Sequence, residues 1–131
     1  MYTISEIQSR RDVKYINIPN ICFSITSKDD SREESFSIQR KIYGFDDSET
    51  WSLTDTLCNF ILPRLKRFRE INNGFPYGLT FSSWCDIIDK IILSLELISR
   101  DSGSQVWNKE EQSQITEGLD LFREYFLSLW W

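Results

Sequence analysis

From Ser52 onward the apolar residues recur on a helical period, and before Phe45 they do not; this change of period constrains the fold more than any other feature of the chain. Leu53, Leu57, Phe60, Ile61, Leu65, Phe68 and Ile71 form one stripe, and Ser52 with Asp55 fits a capping box in front of it. Pro63 falls inside this helix and should kink it. The stretch NNGFPYG (72–78) carries strong turn signals. A second helix starting near Thr80 carries Phe81, Trp84, Ile88, Ile91, Ile92, Leu95 and Ile98, with Leu93 and Leu97 on the opposite side. A helix apolar on two sides is either sandwiched in the core or half of an oligomer contact. Asn108 and Glu111 form a second capping box, opening a third helix with the stripe Ile115, Leu119, Phe122, Phe126 and Leu129. Gly118 lies within that helix, where it costs stability unless a neighbouring helix approaches closely.

The first 45 residues read differently. In YINIPNICFSITS (15–27), Ile21, Phe23 and Ile25 alternate with Cys22, Ser24 and Thr26, and Pro19 suits an edge strand. KDDSREE (28–34) reads as a turn and SFSIQRKIYGF (35–45) as the returning strand. Residues 3–11 fit either a short helix or a strand. The expectation is an α+β fold: an N-terminal β-hairpin or small antiparallel sheet, followed by a three-helix bundle. A chain of 131 residues is one domain by length, with a β-rich part (1–45) and a helical part (46–131).

Composition narrows the chemistry. The chain has no histidine, which removes Ser-His-Asp and Cys-His catalysis and the ordinary neutral-pH proton shuttle. It has no phosphate-cradling glycine motif either, so a binding protein is expected rather than an enzyme, with no cofactor and no metal. Cys22, Cys58 and Cys85 are widely spaced and odd in number, as expected of free, buried thiols. The net charge of −5 is uneven: residues 1–45 hold 7 basic and 6 acidic side chains, the remainder 8 and 14. An acidic helical half disfavours duplex nucleic acid and suits a basic protein surface. The chain lacks a run of about 18 or more apolar residues and its N-terminus does not read as a secretory signal, so neither a membrane span nor export is expected and a cytoplasmic location is.

Two clusters are candidate sites. Asp46, Asp47 and Glu49 precede a helix, where carboxylates suit the positive end of the macrodipole. Arg64 falls in the middle of the first helical stripe and Arg67 at its edge. A guanidinium facing a core must be paired. Its partner is either the Asp46, Asp47 and Glu49 cluster, as a structural clasp, or an anionic ligand. A third possibility is that Pro63 shifts the phase and exposes it. Trp51, Phe75 and Tyr77 lie near these arginines in sequence and could stack a nucleobase. The ligand-binding set expected on this reading is Arg64, Arg67, Trp51 and Tyr77.

The pattern GFDDSETWSL…FILPRLKRFRE…GFP…LTF, continuing through DKII and EGLDLF to the terminal LWW, spans roughly residues 44–131. It resembles a family of small bacteriophage proteins that carries no known catalytic signature. The resemblance implies a phage origin and an accessory role such as counter-defence. Two functions follow as expectations: sequestration of a nucleotide-derived immune signal, or an acidic, anti-CRISPR-like inhibitor that binds a host defence complex. The opposed Leu93 and Leu97 and the terminal Trp130 and Trp131 add the expectation of a homo-oligomer.

Overall fold

The computed structural model describes residues 22–100 and 106–130, and within them lie five α-helices and no β-strand. The expected N-terminal sheet is thereby corrected. Helix α1 is Glu33–Tyr43, covering most of the stretch read as a returning strand. Its ends explain why. Glu33 and Glu34 occupy the first turn and Arg40 and Lys41 the last, matching the macrodipole at both ends. Gly44 then stops it in the left-handed region at φ 85°, its N–H donating to the Arg40 carbonyl. The alternation of Phe36 with Ile38 misled because only Phe36 is buried; Ile38 and Ile42 face outward. The other half of the expected hairpin is irregular over residues 22–27. There backbone N–H groups donate to side chains rather than to a partner strand: Phe23 to Glu49 at 2.8 Å and Ile25 to the Ser48 hydroxyl at 3.1 Å. The expected strand residues 15–21, and residues 3–11, lie outside the described residues.

The chain divides into two compact units, Met1–Trp51 and Ser52–Trp131. Residues 46–51, read from sequence with the helical part, belong to the first unit, where a short helix α2 covers Ser48–Trp51.

The second unit holds α3 (Leu53–Ile71), α4 (Phe81–Ile98) and α5 (Lys109–Tyr125), ending in a 3-10 turn, Phe126–Ser128. Helix α4 packs against both α3 and α5, while Leu93 on its second apolar side stays exposed. Ile88, Ile91 and Leu95 are buried along it, each contributing about 1.5–3 kcal/mol by leaving water. The core joins Cys58 and Leu65 of α3 to Ile91 and Leu95 of α4, with Ile61, Leu62, Phe122 and Leu129 packed around them. Gly118 of α5 meets α4 as its position suggested: a Cβ there would stand 2.2 Å from the Ser94 Cβ. The Asn108–Glu111 capping box is present, and Thr80 and Ser83 form another at the start of α4.

Helix α3 keeps the later part of its expected stripe, with Leu65 buried and Ile61 packed on the core, and loses the earlier part. It runs on through Pro63, but its buried line passes through Cys58 and Leu65, leaving Leu53, Leu57 and Phe60 exposed. Arg64 is on the exposed side with them. Cys22 is exposed rather than buried, while Cys58 and Cys85 are buried, and all three are free thiols.

Candidate functional site

The loop 72–80 shapes the most promising site of the second unit. Asn72 closes α3 by donating its backbone N–H to the Phe68 carbonyl, and its side-chain Nδ2 donates to the Gly74 carbonyl at 2.7 Å. Gly78 turns the chain at φ 87°, and the Leu79 N–H returns to the Pro76 carbonyl. Thr80 then caps α4. This folding lifts Phe75, Pro76 and Tyr77 to one side of a recess of about 440 Å³, which Asn73 and Gly74 also line. Ser128 and Trp130 line it from the C-terminal segment.

Trp84 is the buried member of the lining. It is 1% exposed and held edge-on by Phe68 and Tyr125, with ring centroids 6.5 and 5.6 Å away. The other rings are open to solvent: Phe75 is 54% exposed, Trp130 76%, and Tyr77 fully. Such exposure leaves ring faces available for stacking, and the volume lies within the range of small-molecule sites. None of the described residues lining the recess is charged. Beneath the loop, the buried Asn72 Oδ1 has no hydrogen-bond partner among the described residues.

The acidic cluster of the first unit is occupied internally. Arg40 pairs with both Glu33 and the fully buried Asp46. Burial alone would raise the Asp46 pKa, but hydrogen bonds from Ser24, Ser48 and Arg40 outweigh it and hold the carboxyl below its ordinary value. The Thr26 hydroxyl, and after it Arg40, likewise lower Glu33. Asp47 accepts from the Gln39 side chain at 2.8 Å, and Glu49 accepts the N–H groups of Phe23 and Asp46. These carboxylates therefore anchor residues 22–27 and the α1–α2 turn.

The four residues expected to bind ligand are found in different settings. Tyr77 lines the recess. Trp51 belongs to the first unit, with the Arg32 guanidinium 4.8 Å above its ring and Phe36 edge-on at 5.9 Å. Arg64 lies 3.9 Å over the Phe60 ring and donates to the Phe60 carbonyl at 2.7 Å, while Arg67 pairs with Glu70 at 3.3 Å. Sequence reasoning ascribed no ligand role to Trp130 or Trp84. The available signal was the turn-rich NNGFPYG with two aromatics, facing a chain end rich in tryptophan.

No group of three or more Cys, Asp or Glu side chains among the described residues is arranged to hold a metal ion. None of the helices described is long and apolar enough to cross a membrane. Comparisons of the chain with protein-family models, curated proteins and solved structures found no match.

Proposed function

We propose that the protein works by capture: it holds a ring-bearing ligand in the aromatic recess of its second unit, and the nucleotide-derived signal expected from sequence is the ligand class that suits it. The observation that carries this reading is the convergence of Phe75, Tyr77 and Trp130, all open to solvent, around the buried Trp84. A nucleobase stacks on such faces whatever its identity, each stack contributing about 1–3 kcal/mol. The resemblance to small bacteriophage proteins adds a setting, in which sequestering a signal without altering it would blunt a host defence.

The test is capture and release. The purified protein is mixed with a nucleotide panel, free ligand is measured by ultrafiltration, and the retained material is released by heat and identified by mass. Retention and recovery of unaltered nucleotide are expected. Tyr77→Ala and Trp130→Ala should each weaken retention about 5- to 150-fold, the affinity equivalent of one stack. Recovery of a changed product would point to an enzyme instead.

A second reading, the protein-binding inhibitor, draws on the same end of the molecule. Phe126 and Leu127 are 59% and 88% exposed beside Trp130, an apolar surface of the kind that protein partners cover. It would be favoured if no nucleotide is retained and a defence complex co-purifies through these residues.

A further inference from the structure

We infer that the recess recognises the ring of its ligand and draws little affinity from phosphate, so that its ligand class is defined by a nucleoside-like ring rather than by a charged tail; the inference rests on the capture reading above. Three observations carry it.

The first is the lining itself. Among the described residues that line it, Phe75, Tyr77, Trp84 and Trp130 are aromatic, Pro76 is aliphatic, and Asn73 and Ser128 are polar but neutral. Carboxamides and hydroxyls match the donor and acceptor edges of a base, whereas phosphate is ordinarily met by guanidinium, ammonium or a helix N-terminus.

The second is the location of the arginines. Neither Arg64 nor Arg67 lines the recess. Arg64 is laid over Phe60 and bonded to its carbonyl, and Arg67 is paired with Glu70. Recruiting either would first break a contact it already makes.

The third is the field. The whole chain carries −5, so a dianionic tail approaches a molecule of its own sign. A neutral ring pays no such penalty. The ordinary nucleotide pattern, in which cations anchor the phosphate and the base adds selectivity, is inverted here. Charge therefore opposes the tail while the rings hold the base.

The experiment titrates the full chain with each common ribonucleoside and with its 5′-monophosphate, following tryptophan fluorescence and calorimetry at about 50 and 500 mM salt. Nucleoside and monophosphate are expected to bind within about threefold of each other, with no loss on adding salt. Arg64→Ala and Arg67→Ala should leave both affinities within about twofold. Tyr77→Ala and Trp130→Ala should weaken both alike, with near-UV circular dichroism showing that the fold persists. A monophosphate that binds tenfold or more tighter than its nucleoside, and loosens with salt, would overturn this inference while leaving the capture reading intact. Unchanged nucleoside affinity in both aromatic variants would overturn it as well, by moving the ring elsewhere. Binding of neither ligand class to the folded protein would bring down the capture reading, and this inference with it.

Discussion

At Gly118 a single hydrogen stands where any other residue would carry carbon. An added Cβ would lie 2.2 Å from the Ser94 Cβ and 2.6 Å from the Lys90 carbonyl oxygen, so side chain and backbone would both have to move. Gly118→Ala should gain up to about 1 kcal/mol of helix propensity and lose roughly 3 kcal/mol to overpacking. A net loss of about 2 kcal/mol is expected by denaturant titration. Adding Ser94→Gly should restore part of it but not all, because the Lys90 oxygen belongs to the backbone; full additivity of the two changes would refute the clash. The Arg40 cluster answers to pH instead. Both Glu33 and Asp46 have folded pKa values below their ordinary 4.5 and 3.8, so the unfolded chain takes up protons first. Their contribution is complete above about pH 5 and drains away as pH falls through 4.5 and then through the lower folded values. Thermal melts of the first unit, followed through the NMR signals of Phe23 and Ile25, should show this slope. In Asp46→Asn the slope should be shallower and the stability at pH 7 lower.

Among the elements, the capping boxes offer the plainest test. Thr80→Ala and Asn108→Ala each remove a side-chain acceptor from an N3 amide and should cost about 0.5–2 kcal/mol. A cost near zero in urea titrations would mean that the ends of α4 and α5 are held by packing alone. The start of α5 was legible because its Asn108–Glu111 cap is local chemistry, written within four residues. Ser52 and Asp55 fit the same pattern but bond side chain to side chain and do not cap α3. The stripe of α3 was legible in part: Ile61 and Leu65 reach the core as read, while Leu53, Leu57 and Phe60, on the same period, stay exposed and Cys58 is buried instead. Periodicity reports that a face exists; which of two apolar faces is covered depends on the neighbour. Helix α1 was misread because Phe36 and Ile38 alternate, although Glu33–Glu34, Arg40–Lys41 and Gly44 spelled out its ends. Of the candidate site, Tyr77 was legible as an aromatic in a turn. Trp130 was not, since 52 residues of intervening chain must fold before the two line one recess.

At the scale of the whole molecule, exposed apolar side chains bear on assembly. Leu93 remains 37% exposed on α4 and Leu119 41% on α5, and Trp130 is open at the chain's end. We expect self-association, giving a light-scattering mass of at least twice 15.6 kDa at micromolar concentration. Leu93→Glu should return it to one chain without loss of helicity, and a wild-type mass of 15.6 kDa would refute the expectation. The three cysteines lead somewhere further. Cys22 is exposed beside the tethered Phe23, whereas Cys58 and Cys85 are buried in α3 and α4, and burial, with Asp55 adding to it, raises the Cys58 thiol pKa. A thiol reagent should therefore modify one site at once and two only as the helical unit opens. The slow pair then serves as an internal timer for that unit, read by counting alkylated masses over hours. Any molecule that settles in the recess should lengthen the delay by its occupancy, so tight ligands could be ranked without a label on either partner.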